Sequence, residues 1–124
     1  MSADDLELAE HFIAVLAAAA NSGDHHAVYP LLAPDVEWLT PQRHLYGIDE
    51  VRDQATWPLL SPRATLEVEV EAETTDHGGG RIVSDLHETY RVKGTGDFAY
   101  ARDHRLDLTI REGRIARCEL RFAG

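Results

Sequence analysis

The repeat of apolar residues changes from a helical to a strand-like period near Arg63. In residues 6–20 the apolar side chains recur three and four positions apart and cover more than half of the circumference, which predicts a helix ending near Asn21. Asp4 or Asp5 can cap the start of this helix. After Arg63, apolar and polar residues alternate, which predicts strands with one buried and one solvated face. Helices followed by an antiparallel meander predict an α+β fold, with the helices on one face of the sheet.

Three shorter elements are predicted between the first helix and the meander. Gly23 ends the first helix, and Asp24 can cap a second helix that Pro30 would distort. Residues 36–40 are typical of a short strand. A third helix is predicted for residues 49–58, capped by its first residue and stopped by its last.

The meander itself is predicted to contain four strands. These are residues 66–73, about 81–93, 100–111 and 114–122. The last two strands are expected to form a hairpin through the turn Glu112-Gly113.

The 124-residue chain has a formal net charge of -10 and a single cysteine, Cys118. A chain of this length is expected to form one domain, residues 1–124. The negative charge disfavours nucleic acids and anionic membranes, because such partners require basic patches. One cysteine excludes an internal disulfide, and the apolar run 12–20 is too short to span a bilayer. We therefore expect a cytoplasmic protein that binds neither nucleic acid nor membrane.

Three ionisable residues lie on the buried side of the predicted meander. Glu88 is an even number of positions from the apolar residues that alternate along its strand, so it is predicted on the same face as they are. Arg102 and His104 have the same relation to the apolar residues of the next strand. Because burying an unpaired charge is costly, these groups should pair or line a wet cavity. A catalytic interpretation makes Glu88 or His104 a base and Arg102 an electrophile or anion holder. The alternatives are a structural network, or a bulge that turns the side chains outward.

Aromatic residues are candidates for the walls of a ligand pocket. They are Tyr29, Trp38, Trp57, Tyr90 and Tyr100, with Phe12 better explained as core. Aromatic walls with few polar groups suit a small hydrophobic molecule. No metal or other cofactor is expected, because the adjacent pair His25-His26 points in different directions on a helix and has no further ligand nearby in sequence.

The solvated face of the meander carries alternating acidic and basic residues. Its first strand has Glu67, Glu69, Glu71 and Glu73, and its last has Arg117, Glu119 and Arg121. Such a face is either simply solvated or a polar interface between two copies of the chain. We expect a homodimer.

Four segments carry a resemblance to a known superfamily. They are Gly23-Asp24, the run Leu31-Leu32-Ala33-Pro34-Asp35, the segment His44–Arg52 and the segment Arg91–Gly96. With them the chain resembles the nuclear transport factor 2-like superfamily, in particular its SnoaL-like branch. The resemblance implies a cone-shaped α+β barrel, with three N-terminal helices on the concave face of a curved, mainly antiparallel sheet. It also implies a pocket with Trp38 and Trp57 at its mouth, and pairing of two copies through the sheet.

The resemblance does not imply one reaction. Ketosteroid isomerases of this superfamily carry a carboxylate base just before a proline, where this chain has Thr40 and Pro41, so steroid isomerisation is disfavoured. Members similar to limonene-epoxide hydrolase need an Asp-Arg-Asp set, and Arg102 has only Glu88 on its face. His104 is compatible with the acid/base residue of the cyclases.

Two functions from different classes therefore remain. One is a lyase, isomerase or cyclase that uses general acid/base chemistry on a small, largely apolar carbonyl compound. The other is a non-catalytic module for small-molecule binding or dimerisation.

Overall fold

A first helix, a strand, a further helix and four final strands follow one another as the sequence predicts, but a 3-10 turn replaces the predicted second helix and an unpredicted short strand forms at His44–Tyr46. The computed structural model describes residues 2–54 and 65–122. The elements within these residues are α1 (Ser2–Ser22), a short 3-10 helix (Tyr29–Leu31), β1 (Leu32–Leu39), β2 (His44–Tyr46), α2 (Gly47–Gln54), β3 (Leu66–Asp76), β4 (Arg81–Val92), β5 (Phe98–Arg111) and β6 (Arg114–Phe122). The predicted α+β fold is confirmed.

The six strands form one open sheet in the order β2-β1-β6-β5-β4-β3. Strands β3 to β6 are the predicted antiparallel meander, and β1 forms an antiparallel pair with β2. Strand β1 runs parallel to β6, which makes the sheet mixed. The prediction of a mainly antiparallel sheet is therefore confirmed, and β2 and β3 form its two edges.

Helix α1 buries one stripe of side chains. The buried residues are Ala9, Phe12, Ile13, Leu16, Ala19 and Ala20, which recur three and four apart. Leu8 and Val15 are half-buried at the margins of this stripe. The helix starts at Ser2, so Asp4 and Asp5 lie in its first turn rather than at a cap. Carboxylates in the first turn still stabilise a helix, because they face its positive end.

The prediction of three helices is wrong for the part of the chain that the structure describes, which contains two α-helices. Gly23 ends α1 in a left-handed conformation with φ +77°. Asp24 then accepts a hydrogen bond from the backbone N–H of His26 in a local turn, with an N–O distance of 3.0 Å. Pro30 has no N–H to continue a helix, and only a single 3-10 turn forms around it.

The first strand and the helix after β2 agree less closely with their predicted bounds. Strand β1 begins at Leu32, earlier than expected, and its register with β6 shifts between Leu32 and Glu37. Pro34 lies within that shift, where a proline is tolerated because the ladder is already interrupted. Helix α2 begins at Gly47, and its predicted stop at Pro58 lies outside the described residues.

The two faces of the sheet differ as the alternation predicts. The face that packs on α1, here called the inner face, carries buried residues such as Ile82, Leu86, Leu106 and Leu108 in one core with Phe12. The opposite, outer face carries charged residues. The β5–β6 turn at Glu112-Gly113 is also confirmed, with φ +53° and +74° at its two positions.

Candidate functional site

The register of β4 and β5 brings the predicted polar residues together on the inner face. Glu88 lies directly opposite Arg102, Leu86 lies opposite His104, and Tyr90 lies opposite Tyr100. The β-bulges of these strands fall outside this segment, so the alternation is not inverted here. The bulge that would have turned these side chains outward is therefore absent from this part of the described sheet.

Four of these side chains form a chain of hydrogen bonds. Arg102 donates from Nη2 to the Tyr90 hydroxyl at 2.9 Å. The Tyr90 hydroxyl donates to Glu88 Oε1 at 2.7 Å. The other carboxylate oxygen, Glu88 Oε2, is hydrogen-bonded to Nδ1 of His104. Glu88 and Tyr90 are 0% exposed and His104 is 1% exposed, so the carboxylate is satisfied entirely by protein groups.

This arrangement determines which ring nitrogen of a neutral His104 carries the proton. Glu88 accepts from Tyr90 on one oxygen, and its other oxygen accepts from Nδ1–H of His104. The lone pair of the neutral ring therefore lies on Nε2. Nε2 is buried and has no hydrogen-bond partner among the described residues. A carboxylate that orients an imidazole in this way is the arrangement found behind many histidine bases.

Arg102 lies half-buried beside a stacked pair of aromatic rings. Its guanidinium carbon is 4.9 Å from the centre of the Tyr90 ring and 5.4 Å from that of Tyr100. The two rings stack on each other with centroids 4.5 Å apart. Each cation–π contact contributes about 0.5–1 kcal/mol where it is partly solvated. The stack fixes the position of the positive charge beside the buried carboxylate.

The Tyr90 hydroxyl stays protonated in this position. Burial raises its pKa well above the ordinary value, and the hydrogen bond to Glu88 raises the pKa further, while Arg102 opposes the shift. Tyr90 is therefore a neutral donor that links Arg102 to Glu88. The sequence predicted Tyr90 as a wall of the ligand pocket and did not predict its hydrogen bonds to Glu88 and Arg102. The one sign of them was that Tyr90 and Glu88 are two residues apart on one strand and therefore lie on the same face.

Of the other predicted ligand-binding aromatics, Trp38 lies apart from these hydrogen-bonded residues. Trp38 is fully buried on β1, where it makes an edge-to-face contact with Phe12 at a centroid distance of 6.4 Å. Because β6 separates β1 from β5, Trp38 is roughly 10 Å from β5 across the sheet. Tyr29 is half-buried in the 3-10 helix. Trp57 lies outside the described residues.

Two further carboxylates of β5 point to the outer face. Asp103 is hydrogen-bonded to His87 at 2.6 Å, and Asp107 accepts a 2.9 Å bond from Arg81. Neither is available to Arg102, as the sequence predicts. The Asp-Arg-Asp set of a limonene-epoxide-hydrolase-like site therefore does not form around Arg102 in the described structure.

The structure also contains an open cavity that sequence reasoning missed. It has a volume of about 510 Å³ and lies over β3, β4 and β5, with an acidic lining that includes Glu71, Glu73, Asp85 and Asp103. A smaller cavity of about 240 Å³ lies between α1 and β3. The larger cavity includes His104 in its lining, but neither cavity includes Glu88 or Trp38. No single residue type marks the larger cavity in the sequence, because it depends on the arrangement of three strands.

Comparison with solved structures identifies the fold. A protein named for the SnoaL-like polyketide cyclases, from Jannaschia sp. CCS1, is similar with a TM-score of 0.72 at 15% identity, over 98% of this chain and 86% of that one. A nuclear transport factor 2-like protein from Anabaena variabilis ATCC 29413 has the same TM-score at 11% identity, over 100% of this chain and 93% of that one. The chain has the nuclear transport factor 2-like fold.

A third structure with this fold contains a small molecule. TerC, crystallised with polyporic acid, is similar with a TM-score of 0.67 at 19% identity, over 97% of this chain and 92% of that one. No protein-family model matches the sequence, and no curated protein matches it significantly. The resemblance to the nuclear transport factor 2-like superfamily and its SnoaL-like branch is thus confirmed as a likeness of fold. Within the described residues, no helix is long and apolar enough to cross a membrane.

Proposed function

We propose that this protein acts on a small, largely apolar carbonyl compound by general acid/base chemistry, as a lyase, isomerase or cyclase of the SnoaL-like type. The observation that carries the proposal is the buried Glu88–His104 pair, in which Glu88 engages Nδ1 and leaves Nε2 of His104 without a partner among the described residues. A neutral imidazole oriented in this way can accept a proton from carbon and return it elsewhere.

Each polar residue then has a separate part. His104 is the catalytic residue that takes the proton on Nε2. Glu88 is a positioning residue that holds the ring and stabilises the imidazolium that forms, as carboxylates do behind catalytic histidines. Arg102 provides positive charge for an anionic oxygen of the bound molecule. Tyr90 and Tyr100 hold the guanidinium, and the exposed ring of Tyr100 contributes apolar surface.

The surroundings support an apolar substrate of modest size. The buried pair lies among core residues such as Leu86 and Leu106, and the exposed rings of Tyr100 and Phe122 border it. Pockets with apolar walls and a few convergent polar groups bind small molecules in many folds. TerC was crystallised with polyporic acid, so a protein of this fold can hold a small organic molecule.

Proton exchange on a simple ketone tests the proposal. Phenylacetone has a methylene group whose protons exchange slowly with solvent, and proton NMR in deuterium oxide follows their loss. The wild-type protein should accelerate this exchange, and His104→Asn should slow the catalysed rate by about 100-fold. Asparagine keeps a donor near the position of Nδ1 and removes Nε2, so the contact with Glu88 can persist.

His87→Asn is the matched control. His87 also bonds to a carboxylate of the neighbouring strand, but on the exposed outer face. It should exchange phenylacetone at the wild-type rate. Binding of phenylacetone without any accelerated exchange would contradict the catalytic proposal and favour the non-catalytic binding module.

A further inference from the structure

Arg102 differs from the other arginines on its two strands. Four of the five arginines on β4 and β5 form an ion pair with a carboxylate: Arg81 with Asp107, Arg91 with Glu69, Arg105 with Asp85 and Arg111 with Asp35. Arg102 forms none among the described residues, and it is the one whose side chain lies with the buried inner-face groups. The one arginine of these two strands that has no ion pair with a described residue is therefore the one at the candidate site.

The carboxylate nearest to Arg102 is already engaged. Glu88 reaches Arg102 only through the Tyr90 hydroxyl, and its two oxygens are taken by Tyr90 and His104. The Nε atom of Arg102 is buried and has no hydrogen-bond partner in the described part of the chain. A guanidinium that lies beside the stacked rings and is only partly hydrogen-bonded retains donors for a planar anion, which it can bind through two parallel bonds.

We infer that Arg102 is the binding site for a permanent carboxylate of the ligand, and that the ligand is an aromatic keto acid. This inference rests on the proposed function, because the ketone is the group that His104 would deprotonate. It assigns Arg102 to the carboxylate of the substrate rather than to an enolate oxygen formed during the reaction.

Exposed aromatic surface at both ends of the site accounts for the aromatic part of the ligand. Tyr100 is 40% exposed and borders the guanidinium. Phe122 is 60% exposed, and its ring lies 5.0 Å from the His104 ring. Arg102 and His104 are two residues apart on β5, roughly 7 Å along the strand. A carboxylate and an acidic carbon only a few bonds apart in one small molecule can therefore reach both residues.

Two ligands that differ in one group test the inference. Phenylpyruvate and phenylacetone share a benzyl ketone, and the first has a carboxylate where the second has a methyl group. Calorimetric titration of the wild-type protein should show phenylpyruvate binding at least about tenfold more tightly, as expected for charge-assisted hydrogen bonds. Arg102→Met should bind the two ligands with about equal affinity. Its affinity for phenylacetone should stay within about threefold of the wild-type value.

Control variants separate a local effect from a general one. Arg105→Met removes a positive charge from the outer face of the same strand, where Arg105 pairs with Asp85 at 2.9 Å, and should keep the preference. Arg102→Lys keeps the charge without the planar fork and should show an intermediate preference. If Arg102→Met fails to fold, as judged by circular dichroism, the wild-type preference and the lysine variant still decide the question.

The results distinguish this inference from the proposed catalysis. Equal binding of the two ligands by the wild type, or an unchanged preference in Arg102→Met, would overturn the carboxylate site even if phenylacetone is exchanged. A carboxylate preference that depends on Arg102, without catalysed exchange, would support the binding site and reject the catalysis.

Discussion

Two histidine–carboxylate pairs link β4 to β5, one on each face of the sheet. His104 and Glu88 are fully buried, whereas the side chains of His87 and Asp103 are 51% and 60% exposed. The hydrogen bond that His87 donates to Asp103 raises the pKa of His87, but water screens an exposed pair and limits its contribution to stability. Removing one member of a buried pair leaves the other without a partner in the core, which is far more costly. The same two residue types thus have different consequences on the two faces.

Tyr90→Phe should destabilise the protein although it keeps the aromatic stack. It leaves Glu88 Oε1 buried without a donor and removes the acceptor of Arg102, at a cost of about 1–3 kcal/mol. Tyr100→Phe removes a hydroxyl from a ring that is 40% exposed and should cost less than about 0.5 kcal/mol. Urea unfolding of both variants measures the difference, and equal costs would contradict the importance of the hydrogen-bond chain.

Arg102 shows what the alternation of residues along a strand predicts about single side chains and what it does not. Parity on two adjacent strands places Glu88, Arg102 and His104 on one face, and the structure has them there. It does not give the order of contacts, in which Tyr90 separates Arg102 from Glu88. A direct ion pair would make Arg102→Ala cost roughly 3–5 kcal/mol, whereas the observed geometry predicts about 1–2 kcal/mol.

At the scale of elements, the meander was predictable because apolar and polar residues mostly alternate along it. Strands β4 to β6 each carry a mainly buried row, and one slip of register would expose that row, whereas edge strand β3 buries only Val68. The segment after Gly23 lacks such a repeat, and Pro30 prevents its helix from continuing. The parallel pairing of β1 with β6 could not be predicted from the sequence either, because no local pattern of residues indicates which distant segments pair.

The turn between β3 and β4 depends on close approach at Gly80. Gly80 has φ +85°, its carbonyl accepts the N–H of Ile110 at 2.7 Å, and a Cβ there would overlap the carbonyl oxygen of Ile110. Gly80→Ala should therefore cost about 1–3 kcal/mol beyond the cost of Gly79→Ala. Gly79 has φ +64° and open space around its Cβ position, so it controls for backbone strain alone. Equal unfolding midpoints for the two variants would show that the backbone relaxes at no cost.

The Arg81–Asp107 pair between β4 and β5 should make the protein sensitive to acid. Its hydrogen bond lowers the pKa of Asp107, whose side chain is only 8% exposed. A carboxyl with a lowered folded-state pKa stabilises the protein above its unfolded-state pKa, and that contribution is lost as the pH falls through the folded-state value. Between about pH 5 and about pH 3, stability should therefore fall less steeply in Asp107→Asn and Arg81→Gln than in the wild type. Parallel curves from urea unfolding would contradict this assignment.

At the scale of the whole molecule, the fold leaves function open. A SnoaL-like cyclase name and a general nuclear transport factor 2-like name occur among structures with equal TM-scores. One fold hosts unrelated reactions, because function depends on a few side chains in the site. Glu88 and His104, rather than the shared fold, therefore support acid/base chemistry.

The outer face has an uneven distribution of charge across the sheet. Edge strand β3 carries four glutamates, of which Glu67, Glu71 and Glu73 form no ion pair with a described residue. Strand β6 carries Arg117 and Arg121, which share Glu119 at 3.1 and 2.8 Å. A two-fold axis parallel to the strands, between β4 and β5, would place β3 of one copy over β6 of the other. We propose this geometry for the homodimer that the sequence predicts.

Charge reversal tests this dimer. Glu71→Arg combined with Glu73→Arg should abolish dimerisation, because the strand registers place Glu73 level with Arg121 and the change brings like charges together there. Adding Arg121→Glu should restore it in part. Sedimentation equilibrium at low salt measures the molecular mass, and the wild-type dimer should weaken near 1 M salt, where the screening length falls to about 3 Å.

Glu7→Arg with Glu10→Arg on the exposed side of α1 makes the same change in net charge and should leave the dimer intact. A wild-type monomer at micromolar concentration and low salt would reject the outer face as an interface, because attraction between these rows is strongest under that condition.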